Sequence, residues 1–234
     1  SGGGDWPTLQ HVAGMSFPHG TLAAKSGSEI RLSNPRQTVC LWTTAAVPIY
    51  RNIGKRPSVG GGRNFKRSDR NPKVHAEAYA FVKQFACDTP IDVIEIGSRN
   101  INGSVRPLFP KARWVGLDLH PGPDVDVVCD MMEYTPPKQV DLVICCEVLE
   151  HAEPWKQMLS QAQAWLKPGG RMIITCAGPG RLPHSHIDGC QLRPGEYYGN
   201  ISAEDLREAM EADGLYVVIC TQLRNDTQAM AICF

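Results

Sequence analysis

Short apolar runs alternate with segments of helical periodicity through most of residues 73–234. The apolar runs are rich in β-branched residues, which favour strands that are covered on both faces of a sheet. The intervening segments place apolar residues at helical spacing, which predicts amphipathic helices. The predicted strands are 93–96, 113–118, 125–129, 140–146, 171–175, 215–221 and 229–234, and the predicted helices are 73–86, 104–109, 154–166 and 202–213.

This order of elements predicts an α/β fold. Strands that alternate with helices form parallel sheets, and the last two predicted strands are joined only by a polar turn. We therefore expect a Rossmann-like, doubly wound, mostly parallel seven-stranded sheet with one antiparallel strand, within a domain spanning residues 73–234.

Residues 1–72 have a different composition and predict an irregular basic N-terminal arm. Residues 1–73 hold 11 basic and 3 acidic side chains, a net charge of +8, whereas residues 74–234 carry −8. Two apolar runs, 38–42 and 45–50, predict short strands that could form one hairpin. Residues 51–73 hold eight basic side chains, one acid and three consecutive glycines, which predicts a flexible segment. Such a segment could contact nucleic acid or a protein partner, or serve as a solvated linker.

The cysteines and the hydropathy pattern predict a cytoplasmic protein. The nine cysteines contain no CxxC pair and lie mostly in apolar runs, as small core residues of a reducing compartment do. No apolar run approaches the length of a membrane span, and no signal-peptide pattern opens the chain, so we expect no membrane contact.

The first predicted strand leads into a polar turn that predicts a cofactor site. Gly97 follows the apolar run and lets the backbone turn sharply and approach a ligand, because it has no Cβ. Asp118 ends the second predicted strand, where an acid can accept hydrogen bonds from ribose hydroxyls. The first strand–turn–helix of an open α/β sheet is the usual place for a nucleotide-like cofactor.

Four motifs in order along residues 73–234 resemble those of class I S-adenosylmethionine-dependent methyltransferases. They are Glu95-Ile96-Gly97, Asp118, Cys146-Glu147-Val148-Leu149-Glu150-His151, and Leu166-Lys167-Pro168-Gly169-Gly170. The resemblance implies that S-adenosylmethionine is bound by Glu95, Gly97, Ser98, Asp118, Leu119, Asp130, Met131 and Cys146. In this family Glu95 and Gly97 would lie beside the methionine and ribose, Asp130 and Met131 beside the adenine, and Cys146 beneath the sulfonium.

The glycine loop departs from the pattern of the family. Arg99 occupies the position where these enzymes commonly have a second glycine, and the next glycine is Gly103. A guanidinium beside a sulfonium cation is unfavourable, so we expect the Arg99 side chain to point outward.

The segment after the fourth strand predicts a divalent metal site. If a helical turn begins at Glu147, then Glu147, Glu150 and His151 share one face, and two carboxylates at that distance repel unless a cation lies between them. A fourth ligand, His186, could come from the loop at 183–186. The motif resembles metal-dependent O-methyltransferases of the ubiquinone pathway and small-RNA 3′-terminal 2′-O-methyltransferases. Alternatively, Glu150 and His151 cap a helix without metal, and His151 or His186 acts as a catalytic general base.

Together these features predict transfer of a methyl group from S-adenosylmethionine to a hydroxyl of a small molecule or sugar-like group, with Mg²⁺ or Mn²⁺ as a possible assistant. The alternatives are an RNA-terminal 2′-O-methyltransferase, whose basic arm contacts phosphates, and a non-catalytic cofactor-binding assembly module. We expect a small-molecule substrate in preference to nucleic acid, because the domain is acidic.

Overall fold

The structure, a computed structural model, describes residues 76–234 and, before them, the backbone of five two-residue strands. The chain divides into two units, Ser1–Phe65 and Lys66–Phe234. In the first unit, Ser16–Phe17 pairs antiparallel with Gly20–Thr21. A separate three-stranded sheet places Ile30–Arg31 between Ala23–Ala24 and Thr38–Val39.

The predicted hairpin at 38–50 lies almost entirely outside the described residues. Its described part, Thr38–Val39, pairs with Ile30–Arg31. The basic segment 51–73 is outside the described residues as well, so its partner and the boundary at residue 72 stay predictions.

The second unit contains a seven-stranded mixed sheet, as predicted. The strands are β1 (Asp92–Ile96), β2 (Arg113–Asp118), β3 (Val127–Val128), β4 (Val140–Cys146), β5 (Leu166–Ala177), β6 (Leu215–Leu223) and β7 (Asp226–Cys233). Their spatial order is β6-β7-β5-β4-β1-β2-β3. The first five strands are parallel, and β7 runs antiparallel to both of its neighbours. The chain order reverses at β1, so the carboxyl ends of β1 and β4 border the crevice of a topological switch point.

Within residues 76–234, three α-helices cover the sheet: α1 (Ala76–Lys83), α2 (Trp155–Ala164) and α3 (Ala203–Ala212). The Ser202 hydroxyl accepts from the Asp205 N–H at 3.0 Å and so caps the amino-terminal end of α3. Among the described helices, none has the length and apolarity that a bilayer-crossing segment needs.

Three predicted elements differ from the structure. The helix expected at 104–109 is one 3-10 turn at Arg106–Leu108, because prolines lie within and just after it. The strand expected at 125–129 is reduced to Val127–Val128. Leu166 begins β5 rather than ending α2, since it pairs in register with Val140.

The sheet has an apolar core on each face. Along β1 and β4, consecutive side chains alternate between the two cores, as the period of a strand requires. Ile94 and Val143 pack on the side of α2 and α3, while Val93 and Leu142 pack on the side of α1.

At the amino-terminal end of β1, the buried Asp92 carboxylate is surrounded by cations. Arg113 Nε lies 2.7 Å from Oδ1, and Lys138 Nζ lies 2.8 Å from Oδ2. The hydrogen bonds from Arg113 and Lys138 hold the pKa of Asp92 well below its usual range. A carboxylate stabilised in this way contributes to stability above the pKa of the unfolded chain, about 4, and loses that contribution in stronger acid.

We expect Asp92→Asn to lower the free energy of unfolding by about 2 kcal/mol at neutral pH, because the buried side chain loses its charge-assisted hydrogen bonds with Arg113 and Lys138. The difference from the wild type should shrink as the pH falls below about 4. Urea unfolding at several pH values measures both effects. The control is Asp88→Asn, which removes an exposed pair with Lys111 and should cost less than about 1 kcal/mol. Equal losses in the two variants would contradict the assignment.

Candidate active site

A cavity of about 520 Å³ opens at the carboxyl ends of β1 to β4. Its volume lies within the range of about 300–1,000 Å³ that is typical of small-molecule sites. Every residue predicted to bind the cofactor lines this one cavity: Glu95, Gly97, Ser98, Asp118, Leu119, Asp130, Met131 and Cys146. The parallel order of the strands explains this, because it collects their carboxyl ends at one edge.

Gly97 makes the sharp turn that the sequence predicts. Its φ is +71°, in the left-handed region, and an added Cβ would lie 2.2 Å from Val148 Cγ2. The N–H groups of Gly97 and Ser98 both donate to the Leu117 carbonyl. Glycine is therefore required for close packing of the turn against the segment after β4.

Asp118 and Asp130 each combine turn contacts with exposure to the cavity. Asp118 Oδ2 accepts from the Arg99 N–H at 3.1 Å, and Oδ1 accepts from the His120 N–H at 2.9 Å. Asp130 Oδ1 accepts from the Met132 N–H at 2.8 Å. Since a carboxylate oxygen has two lone pairs, these contacts leave acceptor sites in the cavity for a ligand.

Glu95 lies in the cavity wall, but its carboxylate is engaged by the chain itself. Arg106 Nε lies 3.0 Å from Glu95 Oε2, and Arg106 also pairs with Asp126. Burial raises the pKa of Glu95 to about 7, while Arg106 acts in the opposite direction. Arg106 was not identified from the sequence, because nothing in the motif indicates a partner for Glu95.

The predicted helical convergence of Glu147 with Glu150 and His151 is wrong in its geometry. Glu147 has a φ of +57°, and a 3-10 turn, Leu149–His151, follows it. The Glu147 carboxylate accepts from Thr175 Oγ1 at 3.0 Å and pairs with Arg181 Nη1 at 2.9 Å. Arg181, which also pairs with Asp226, thus supplies part of the positive charge that the motif predicted for a metal.

Glu150, His151 and His184 form the compact donor cluster. One carboxylate oxygen of Glu150 and one ring nitrogen from each histidine all lie within 4.8 Å of one another. Glu150 is fully buried, and neither of its carboxylate oxygens has a hydrogen-bond partner among residues 76–234. His184 Nδ1 lies 3.2 Å from the Leu182 carbonyl, which can only accept, so the lone pair of the neutral ring is on Nε2.

His186 lies beside this cluster and makes different contacts. Its Nδ1 pairs with Glu196 at 3.2 Å, and its ring stacks on His120 with centroids 6.2 Å apart. The loop at 183–186 therefore brings His184, rather than His186, to Glu150 and His151. The catalytic and metal roles predicted for these residues stay predictions.

The sequence matches the profile of a family described as "Methyltransferase domain" over residues 70–219. The chain belongs to this methyltransferase family. A comparison of this sequence with curated proteins found no match. The fold is shared with a 1,6-didemethyltoxoflavin-N1-methyltransferase from Burkholderia thailandensis and with the N-methyltransferase NodS from Bradyrhizobium japonicum WM9, both solved with bound S-adenosylhomocysteine.

These likenesses are distant. The Burkholderia enzyme has a TM-score of 0.53 and 20% identity, with 67% of this chain and 76% of that chain covered. NodS has a TM-score of 0.51 and 16% identity, with 70% and 89% covered. They show the fold, and the family match confirms the prediction of an enzyme of the methyltransferase class.

Burial sets the protonation of the donor cluster in the methyltransferase. It raises the pKa of Glu150, with a further contribution from the Glu147 carboxylate, and it lowers the pKa of His151 to about 4, assisted by the neighbouring imidazoles. Burial also raises the pKa of the Cys146 thiol, which stays protonated. At neutral pH the His151 ring is therefore uncharged and keeps a lone pair.

Three further residues of the long loop after β5 of the methyltransferase differ in their surroundings. Asp188 lines the cavity, whereas Tyr197 is exposed. Tyr198 packs edge-on against His151 and His184, with centroids 5.3 and 5.0 Å apart, and its buried hydroxyl has no hydrogen-bond partner among the described residues. Tyr198 therefore belongs to the surroundings of the donor cluster.

Proposed function

We propose that the methyltransferase transfers the methyl group of S-adenosylmethionine to a hydroxyl oxygen of a small molecule or sugar-like group. The cavity supports this proposal, because all the predicted cofactor residues lie in its wall. Two structures of the same fold hold S-adenosylhomocysteine, the product of such a donor. The RNA-terminal alternative depends on the basic segment 51–73, which lies outside the described residues.

The residues of the cavity suit the parts of the donor. Asp118 has free lone pairs for the ribose hydroxyls, and Asp130 Oδ2 is available to the adenine amino group. Met131 is buried beside Asp130 and offers an apolar surface for the ring. The hydroxyl of Ser98 is buried and has no hydrogen-bond partner within the described part of the chain, as expected of a group that bonds to a ligand.

We also propose that Glu150, His151 and His184 hold a divalent cation such as Mg²⁺ or Mn²⁺. The observation that carries this proposal is the group of buried polar atoms without partners: both Glu150 oxygens and His151 Nδ1, next to His184. Unsatisfied buried polar atoms are rare in proteins, and a carboxylate with two imidazoles is a common ligand set. The hydrogen bond from His184 Nδ1 to a carbonyl is also typical of a metal-binding histidine.

The charges of the surrounding residues favour a cation here. Arg181 forms its ion pairs with Glu147 and Asp226, and its longer-range attraction to Glu150 does not offset the burial that raises the pKa of that carboxyl. The Glu150 carboxyl faces no ion-pair partner among residues 76–234, and His151 is neutral. Ionised Glu150 is thus stable only with an added positive charge.

This chemistry favours a hydroxyl acceptor over an amine. A neutral amine carries a lone pair that can attack a methyl group directly, whereas an alcohol must lose its proton as it attacks. A divalent cation, when bound, lowers the pKa of a hydroxyl. The neutral imidazole of His151 at the cavity wall can hold or accept a proton.

The acceptor class can be tested with methyl-tritiated S-adenosylmethionine and separate panels of hydroxyl and amine compounds. We expect label in hydroxyl acceptors, with stimulation by Mn²⁺ and loss of transfer in excess EDTA. Transfer that is restricted to amines and indifferent to EDTA would overturn the proposal.

The metal site can be tested without an acceptor. Titration calorimetry with Mn²⁺ should give one site per chain, and Glu150→Gln should weaken it by at least about 100-fold, because it removes the only anionic ligand of the cluster. Glu153→Gln, which changes an exposed carboxylate nearby, should leave the affinity unchanged. Absence of binding, or equal affinity in both variants, would contradict the assignment.

A further inference from the structure

Arg99 lines the cofactor cavity without a counter-ion. Its side chain is partly buried, and it forms no ion pair with a carboxylate among residues 76–234. Its Nη2 donates to the Ile187 carbonyl at 3.3 Å, whereas its Nε is buried without an acceptor. The expectation that this side chain points outward is therefore wrong, since it spans from the turn after β1 to the loop after β5.

The other arginines of this region are compensated. Arg106 pairs with Glu95 and Asp126, and Arg181 pairs with Glu147 and Asp226. A partly buried guanidinium that lacks such a partner is costly, because it has lost water without gaining an anion. A ligand with an anionic group would remove that cost.

The protein fixes the position of Arg99 from two sides. Its N–H donates to Asp118 Oδ2, the acid proposed to meet the ribose. Its aliphatic part lies over Gly122, where an added Cβ would be 2.7 Å from Arg99 Cγ and 3.0 Å from Cδ. Gly122, in the turn after β2, thus leaves room for the Arg99 side chain because it has no side chain itself.

We propose that the guanidinium of Arg99 binds the carboxylate of the methionine part of the donor. This inference rests on the proposed use of S-adenosylmethionine. The carboxylate is the only anionic group of that molecule, and a guanidinium forms strong, charge-assisted hydrogen bonds with carboxylates. Arg99 therefore selects donors and products that carry the intact amino acid.

The experiment compares two ligands that differ in this group. S-adenosylhomocysteine carries the carboxylate, whereas 5′-methylthioadenosine has the same adenosine and sulfur without the amino acid. By titration calorimetry, Arg99→Gln should weaken the binding of S-adenosylhomocysteine by about tenfold or more and the binding of methylthioadenosine by less than about twofold. Arg207→Gln removes an exposed arginine on α3 and should change neither affinity.

A second variant keeps the guanidinium and moves it. Gly122→Ala should displace the aliphatic part of Arg99 and likewise weaken the binding of S-adenosylhomocysteine more than the binding of methylthioadenosine. Equal losses for both ligands, or no loss for either, would assign Arg99 a structural role and overturn the inference alone. A wild-type protein that binds neither ligand would overturn the proposed donor and this inference together. Melting temperatures establish that each variant is folded.

Discussion

Replacing Asp118 with alanine is expected to weaken the binding of S-adenosylhomocysteine by at least about 100-fold, since two charge-assisted hydrogen bonds are lost. The acid ends β2 at the cavity, and each of its oxygens already accepts one N–H group, from Arg99 and His120. The substitution thus removes acceptors for the ribose and releases the turn that carries Arg99. Titration calorimetry measures the effect directly.

The control for this prediction is Asp88→Ala, which removes an aspartate from an exposed pair with Lys111. It should bind S-adenosylhomocysteine as the wild type does. The melting temperature of Asp118→Ala without ligand separates a folding defect from lost binding, and a saturating ligand should raise it far less than in the wild type. Unchanged affinity in a folded Asp118→Ala protein would refute the cofactor site.

The sheet could be predicted because its pattern has few alternatives. Val93, Ile94 and Ile96 are apolar and β-branched, which suits a covered strand, and these side chains do pack alternately into the two cores. Parallel order then collects the ends of the strands at one edge. This explains why residues as distant in sequence as Gly97 and Cys146, which the family resemblance assigned to one cofactor site, lie in the same cavity.

The lengths of the short elements could not be predicted as well. Pro107 is compatible with the first turn of an α-helix, so the sequence alone does not distinguish a helix from the single 3-10 turn that is present. Val127–Val128 pairs with the end of β2 only at Leu117 and Asp118. The extent of such an edge strand depends on its neighbour rather than on its own residues.

The donor cluster shows the same limit at the level of side chains. Spacing along a helix predicted that Glu147 would join Glu150 and His151, but this requires helical backbone at Glu147, and its φ is +57°. A positive φ at glutamate has no signature in sequence. Arg181, which forms an ion pair with the Glu147 carboxylate, lies in a long loop whose course the sequence does not specify.

The two histidines of this loop give the sharpest test of the donor cluster. We expect His184→Ala to reduce Mn²⁺ affinity by at least about 100-fold, because one ring nitrogen of His184 lies with the ligand atoms of Glu150 and His151. His186→Ala removes a neighbouring imidazole that pairs with Glu196 and stacks on His120. It should weaken the binding of Mn²⁺ by less than about fivefold. Calorimetry with Mn²⁺ distinguishes them.

This pair of variants is matched in residue type, loop and distance along the chain, so a general loosening of the loop would affect both. Transfer of label to hydroxyl acceptors should follow the same order, with His184→Ala nearly inactive. Binding of S-adenosylhomocysteine should persist in His184→Ala, because the donor cluster lies outside the predicted cofactor residues. If His186→Ala were the more damaging variant for Mn²⁺, the ligand would be the histidine that the sequence alone predicted, and the loop would have to rearrange when the cation binds.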